Sequence, residues 1–214
     1  MEGALNWGEA MRPLEDTDPE ALDSDAQLML RFRNGEAEAF DRLFSRHTRA
    51  IVNFAYRFVR DRQLAEELAQ EIFLRVYESA SRYRVEARFT TWLYRIATNV
   101  CLNEVRKSHF RAGRRPLEAI ARDPELLADA EGGGSSPERL LQQEAISRAI
   151  REALDRIPEK QRIAFILNKY QELSYAEVAG VMGTSEKAVK SLIHRAREAL
   201  SERLKPLLPE LLNL

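Results

Sequence analysis

Apolar residues in the first half of the chain recur at separations of three, four and seven positions. This spacing places them on single faces of helices, whereas the alternation of apolar and polar positions that marks a strand is nearly absent. Asp61 is suited to cap a helix, and the pair Asn34-Gly35 is suited to end one. We therefore predict an all-α fold. The inward-facing stripes comprise Phe40, Leu43, Phe44, Ile51, Phe54, Ala55 and Phe58; Leu64, Leu68, Ile72 and Val76; and Phe89, Leu93, Ile96 and Val100.

The helical pattern fails between residues 111 and 137. The run from Gly132 to Pro137 consists of glycine, serine and proline, which is typical of a flexible linker. Helical spacing resumes near residue 138, with one long helix, then shorter ones, and Pro206 at the end. The sequence thus predicts two small helical domains joined by a flexible linker. The predicted segments are an acidic disordered arm at 1–23, a first domain at 24–110, the linker at 111–137, a second domain at 138–205 and a tail at 206–214.

Charge is distributed unevenly along this chain. Lys and Arg total 33, Asp and Glu total 34, and the net charge is −1. Residues 1–25 nevertheless carry −7 and residues 116–147 carry −5, whereas 31–115 carry +8 and 148–214 carry +3. Two basic blocks of this kind indicate a polyanionic partner more strongly than the total suggests.

Several classes of protein are excluded by composition. Cys101 is the only cysteine, so a disulfide-stapled scaffold is impossible. The acidic first 30 residues do not resemble a signal peptide, and no apolar run approaches the about 18 residues that a membrane span needs. We expect a cytoplasmic protein without membrane insertion. Because metal-spaced His and Cys residues, a phosphate-binding glycine loop and a nucleophile elbow are all missing, we predict no catalytic residue, no metal, no cofactor and no enzymatic activity.

The stretch from Leu173 to Arg197 has the pattern of a helix-turn-helix. Ser174 and Glu177 form a capping box, Gly183-Thr184-Ser185 forms a tight turn, and an apolar stripe follows. The second helix of such a motif enters the major groove. An ordinary helical hairpin with a solvated polar face is the alternative. Candidate DNA contacts on the outer face are Lys187, Lys190, Ser191 and His194, with Arg195 and Arg197 suited to phosphates.

A second candidate surface lies in the first domain. At helical spacing, Arg88, Arg95, Asn99 and Arg106 fall within about 40° of one another, on a face away from the apolar stripe. Just upstream, basic and aromatic side chains alternate, a pattern suited to stacking and holding single-stranded nucleic acid. The alternative is an aromatic core under solvated arginines. The candidate residues are Arg82, Tyr83 and Arg84 in the upstream segment and Trp92 at the boundary of the apolar stripe.

The helix after Asp61 carries a third candidate surface. Glu67 and Glu71 repel each other at a spacing of four residues, with Gln70 and Leu74 beside them. A basic protein partner would account for this face, and a solvated face is the alternative.

Three ordered motifs resemble bacterial RNA polymerase sigma factors of the extracytoplasmic-function (ECF) subgroup. The run Ala65–Tyr77 resembles the second helix of sigma region 2, and Phe89–Asn99 is similar to the promoter-melting helix. Leu173–Ala179 together with Val189–Arg197 resembles region 4. The short length and the linker between two domains fit the ECF subgroup. One departure is Glu172, which stands where many relatives have glycine before the helix-turn-helix.

The resemblance implies a mechanism. The face of Glu67, Gln70, Glu71 and Leu74 would dock on the β′ clamp of core RNA polymerase, and the second domain would meet the β flap. The 82–88 loop and Asn99 would capture an extruded base of the minus-ten element, and the helix-turn-helix would bind the minus-thirty-five element. The resemblance further implies promoter DNA and an anti-sigma factor as partners, and association with the nucleoid when bound to polymerase. The alternative is a helix-turn-helix regulator that acts on duplex DNA without polymerase.

Overall fold

The computed structural model describes residues 24–111, 145–146, 148–150 and 152–205. Within these residues the regular structure is helical, as the apolar spacing predicts, and the chain divides into two compact units. The predicted arm at 1–23, the tail at 206–214 and nearly all of the predicted linker lie outside the described residues.

The first unit consists of four α-helices and one turn of 3₁₀-helix. They are α1 (Ser24–Arg33), α2 (Ala37–Val59), α3 (Arg62–Glu78), the 3₁₀ turn (Ala80–Arg82) and α4 (Phe89–Arg111). Gly35 has φ of +101° between α1 and α2, a conformation that glycine adopts without a steric penalty. Asp61 caps α3, because its side-chain Oδ1 accepts a hydrogen bond from the Leu64 amide at 2.9 Å. Both helix boundaries predicted from these residues are confirmed.

The core of the first unit is formed by the predicted stripes, with four exceptions. Leu43, Ile51, Phe54, Ile72, Val76, Phe89 and Leu93 are completely buried. Phe44 is 39% exposed, and Phe40, Leu64 and Ile96 are only partly buried. The neighbouring helices cover these four residues incompletely.

The C-terminal part of the described chain contains helical residues at 145–146, 148–150 and 152–155, followed by three helices. These are α5 (Glu159–Tyr170), α6 (Tyr175–Met182) and α7 (Glu186–Leu204). The expectation that both helices after α5 are short is wrong for α7, which spans 19 residues. Its inner face continues through Ala196 and Leu200, which pack with Ala153, Leu154 and Ile157. This apolar contact accounts for the length, because burial of one face stabilises a helix over its whole extent.

Glu172 forms the sharp turn between α5 and α6. Its φ is +55°, in the left-handed region that side chains other than glycine rarely adopt. Two hydrogen bonds join Leu173, the residue after Glu172, to the end of α5 and so close the turn. The Leu173 amide donates to the Leu167 carbonyl at 3.2 Å, and the Asn168 side chain donates to the Leu173 carbonyl at 2.9 Å. These bonds position the first helix of the helix-turn-helix.

Candidate functional site

The four residues predicted on α3 share one face of that helix. Glu67, Gln70 and Leu74 are exposed, and Glu71 is half-buried. Leu74 has 57% of its surface exposed to solvent, which leaves an apolar side chain without cover in the isolated protein. The Gln63 side chain donates to Glu67 at 3.2 Å, and Arg75 forms an ion pair with Glu71 at 2.6 Å. The face therefore combines an exposed leucine with two carboxylates held by residues on the same helix.

An aromatic surface next to this face was missed in the sequence. Tyr77 is 54% exposed, and its ring lies 5.0 Å from that of Phe32 and 5.3 Å from that of Phe40. Phe44 follows Phe40 by one turn of α2, and its ring centre lies 4.8 Å from that of Phe73. Tyr77 follows Leu74 by one helical turn, and that spacing was the signal that would have found it.

The predicted ridge on α4 is present as a row of polar side chains. Asn99 and Arg106 are exposed, and Arg95 is partly buried. Arg88 is exposed just before the helix, and its carbonyl accepts from the Trp92 amide at 3.3 Å. Because the separations are seven, four and seven residues, these side chains follow one line along α4. The ridge thus offers three guanidinium groups and one amide.

The loop that leads into α4 differs from the prediction at one residue. Arg82 and Arg84 are exposed, as a nucleic-acid contact requires. Tyr83, in contrast, is only 2% exposed, and its ring lies 4.9 Å from the Trp92 ring and 6.3 Å from the Phe89 ring. The prediction that Tyr83 stacks on a base is therefore wrong in this structure, because its ring faces are covered by the core. Trp92 is partly buried and keeps some exposed surface.

The helix-turn-helix is built by two side-chain caps and one glycine. The Ser174 amide donates to the Glu177 carboxylate at 2.8 Å, and the Glu177 amide donates to the Ser174 hydroxyl at 3.2 Å, so the predicted capping box is confirmed. Gly183 has φ of +60° in the turn. Ser185 then caps α7 by accepting from the Ala188 amide at 3.2 Å. The capping box fixes where α6 begins, and the Ser185 cap fixes where α7 begins.

Every predicted DNA contact on α7 is exposed. Two of them are held by acidic neighbours one turn away. Lys190 pairs with Glu186 at 3.0 Å, and the His194 ring lies 3.1 Å from Glu198. The Lys190 ammonium also lies 5.8 Å from the centre of the Tyr175 ring on α6. The exposed set consists of Lys187, Lys190, Ser191, His194, Arg195 and Arg197.

Burial controls the ionisation of two groups in α4. It raises the pKa of the Cys101 thiol to about 12 from the ordinary value of 9.0, and the nearby Glu71 carboxylate adds to this effect. Burial also raises the pKa of the Tyr94 hydroxyl, and the positive charge of Arg57 opposes that shift. Both groups stay neutral at physiological pH and line the core.

Neither a metal site nor a membrane span was found in the part of the chain that the structure describes. That part contains no group of three or more His, Cys, Asp or Glu side chains arranged to hold a metal ion. Likewise, none of its helices combines the length and apolar character that crossing a bilayer requires.

Comparison with known families accounts for both units. Residues 43–111 match Sigma-70 region 2, and residues 147–200 match Sigma-70 region 4. The chain is 37% identical to the RNA polymerase sigma-H factor of Pseudomonas aeruginosa, over 88% of this chain and 97% of that protein. It is 31% identical to the ECF RNA polymerase sigma-E factor of Escherichia coli, over 86% and 96%. It is 30% identical to the ECF sigma factor SigW of Bacillus subtilis, over 82% and 94%.

Two solved structures share the fold. CnrH in complex with the cytosolic domain of CnrY superimposes with a TM-score of 0.64 at 24% identity, over 86% of this chain and 99% of that one. The sigma factor RpoE of Bartonella quintana, solved with the anti-sigma factor NepR, gives a TM-score of 0.61 at 23% identity, over 78% and 96%.

The two family regions, in this order on one helical chain, define a subunit that directs RNA polymerase to promoters. The chain belongs to the sigma-70 family, in its ECF subgroup. Its partners in that role are core RNA polymerase and promoter DNA.

Proposed function

We propose that this sigma factor uses three separate surfaces in transcription initiation: one on α3 for polymerase, one at α4 for the minus-ten element and one on α7 for the minus-thirty-five element. The observation that carries the proposal is that most side chains of the three sets are exposed, on helices and on the 82–88 loop, and that all of them lie within the two family regions. The proposed first domain spans 24–110 and the second 138–205, joined by the 111–137 linker.

The α3 face docks on the β′ clamp of core polymerase. Leu74 supplies the apolar centre of the contact, because covering its exposed surface removes apolar area from water. Glu67, Gln70 and Glu71 surround it with negative charge and hydrogen-bonding groups that suit a basic partner. The second unit meets the β flap.

The loop before α4 and the α4 ridge hold the melted minus-ten strand. Arg82, Arg84, Arg88, Arg95 and Arg106 contact phosphates, and Asn99 forms hydrogen bonds with an extruded base. Trp92 borders the pocket that holds this extruded base. Extrusion costs a few kcal/mol of stacking, and the pocket and the arginines offset that cost.

The exposed face of α7 enters the major groove at the minus-thirty-five element. Lys187, Lys190, Ser191 and His194 lie toward base edges, and Arg195 and Arg197 lie toward phosphates. The acidic neighbours Glu186 and Glu198 give up their contacts with Lys190 and His194 when DNA replaces them. This exchange favours tight binding only where the bases compensate for the lost contacts.

An anti-sigma factor is the proposed regulatory partner. CnrH was solved with the cytosolic domain of CnrY, and RpoE was solved with the anti-sigma factor NepR. A partner of this kind would cover the α3 face and compete with polymerase.

Sigma factors as a family are not enzymes, and we extend this to the present chain, which we expect to have no catalytic activity of its own. We also propose that it is cytoplasmic and associates with the nucleoid only when it is bound to polymerase.

The substitution Asn99→Ala tests the minus-ten assignment. Removing the amide should impair open-complex formation on duplex promoter DNA much more than binding to core polymerase, because the amide acts only after the base leaves the stack. Permanganate footprinting of unpaired thymines and a core-binding titration measure the two effects. Asn34→Ala, in the exposed turn after α1, is the control. Equal losses in both assays, or no loss in either, would contradict the assignment.

A further inference from the structure

Helix α1 braces the segment between Tyr83 and Phe89 at its first end. The Arg33 guanidinium Nη1, in the last turn of α1, donates a hydrogen bond of 3.0 Å to the backbone carbonyl of Tyr83, 50 residues further along the chain. A hydrogen bond from a charged donor to a main-chain carbonyl is stronger than one between neutral groups. This contact joins the end of α1 directly to the start of the loop.

The same helix reaches the other end of the segment through α2. Asp25, in the first turn of α1, lies 2.8 Å from His47 Nε2, and only 14% and 12% of the two side chains are exposed. The His47 ring lies 5.5 Å from the Phe89 ring. Phe89 begins α4 and is completely buried. The chain of contacts Asp25, His47, Phe89 therefore fixes the end of the loop.

The two ends of this segment are packed into the core. Tyr83 and Phe89 are both buried, and each packs against Trp92, with ring centres 4.9 and 5.9 Å away. Within the loop the Glu86 amide donates to the Arg84 carbonyl at 3.0 Å, which makes a tight turn. Arg84 and Arg88 are exposed on either side of that turn. The positions of their guanidinium groups thus depend on how firmly the two anchors are held.

We infer that Arg33 is a positioning residue for the 82–88 loop. By holding the Tyr83 carbonyl, it sets where the loop presents its arginines to the melted strand. The functional part of this inference rests on the proposed role of the 82–88 loop. Arg33 itself need not contact DNA. Its neighbour Arg31 provides a contrast within the same helix, since it pairs locally with Glu36 at the surface and not with the loop.

The brace is tested first without DNA. In a Trp7→Phe background, Trp92 is the only tryptophan, and acrylamide quenching reports how well Tyr83 and its neighbours cover that ring. Arg33→Met should raise the quenching constant while helical content by circular dichroism stays unchanged. Arg31→Met makes the same change of charge on the same helix and should leave quenching at the parent value. Unchanged quenching in a folded Arg33→Met protein would overturn the brace.

The functional consequence is tested with minus-ten oligonucleotides. The ratio of affinities for the native base and for a substituted base at the captured position should fall about tenfold in Arg33→Met, with core binding unchanged and Arg31→Met at the parent ratio. An unchanged ratio would overturn the positioning role, even if the affinity for both bases falls by the same factor. If the parent protein shows no preference between the bases, the minus-ten assignment fails instead, and the quenching result still decides on the brace.

If Arg33→Met does not fold, Asp25→Asn weakens the other anchor while keeping the shape of the side chain. It should then show the increased quenching and the reduced base preference. A folded Asp25→Asn protein with parent values for both measurements would contradict bracing by α1.

Discussion

Glu172 has a left-handed backbone conformation in a turn that two hydrogen bonds of its neighbour Leu173 close. A residue with a Cβ atom pays about 1–2 kcal/mol for this conformation. Glycine avoids that penalty, but it lowers the free energy of unfolding by about 0.4–1 kcal/mol because it gives the unfolded chain more conformational entropy. The balance favours glycine here.

The substitution Glu172→Gly should therefore raise the free energy of unfolding by about 0.5–1 kcal/mol. Urea denaturation followed by circular dichroism measures the change. The neighbouring Gln171 has φ of −107°, so Gln171→Gly is the matched control and should not stabilise the protein. A loss of stability in Glu172→Gly would show that the side chain makes a compensating contact.

Because of Cys101, the stability of the protein changes with pH in the alkaline range. Well below pH 9.0 the thiol is protonated in both the folded and the unfolded chain, so it has no effect on stability. Above that value the thiol ionises in the unfolded chain but stays neutral in the folded protein, because burial raises its pKa to about 12. The unfolded state is then favoured, and the free energy of unfolding falls as the pH rises.

Between about pH 8 and about pH 10, this group should remove about 1 kcal/mol of stability. Urea unfolding at the two pH values measures the loss, and Cys101→Ala is the comparison. The alanine variant is less stable at both values but should lose less between them. Equal losses in the two proteins would contradict ionisation of this thiol on unfolding.

At the scale of helices, the α3 face is the surface most directly open to test. Reversing Glu67 and Glu71 to lysine should weaken association with core polymerase by at least tenfold, because like charges then face the basic clamp. Helical content should remain, since the exposed Glu71–Arg75 pair contributes little to stability. A binding titration with core polymerase measures the effect.

The control for this double reversal lies on α7. Glu198 and Glu202 have the same four-residue spacing, are exposed, and allow the same change of charge. Reversing them should leave core binding near the wild-type value. If the α3 variant retains full affinity, the docking surface is wrong.

Much of each helix could be predicted from sequence, because the responsible interactions are local. Asp61, Ser174 and Ser185 each accept a bond from an amide three residues away. Tyr83 could not be placed in the same way. It lies outside any periodic stretch. Its burial depends on packing against Phe89 and Trp92, and its backbone carbonyl accepts a hydrogen bond from Arg33 of α1. Patterns within one helix carry no information about such contacts.

At the scale of the whole molecule, the near-zero net charge conceals two basic DNA-facing regions. Residues 31–115 and 148–214 carry +8 and +3, and the acidic segments at 1–25 and 116–147 offset them. Those acidic segments lie largely outside the two regions that match the sigma family. We propose that they weaken the attraction of the free protein for non-promoter DNA, an attraction that depends on positive charge and falls with salt.

Transcription start-site mapping in a purified system tests the central claim most directly. Core RNA polymerase with this chain should initiate at a discrete set of sites on genomic DNA from the encoding organism, with shared minus-ten and minus-thirty-five elements upstream, and core polymerase alone should not. The contradicting result is a chain that binds duplex DNA but neither associates with core polymerase nor yields specific starts, as a helix-turn-helix regulator acting without polymerase would.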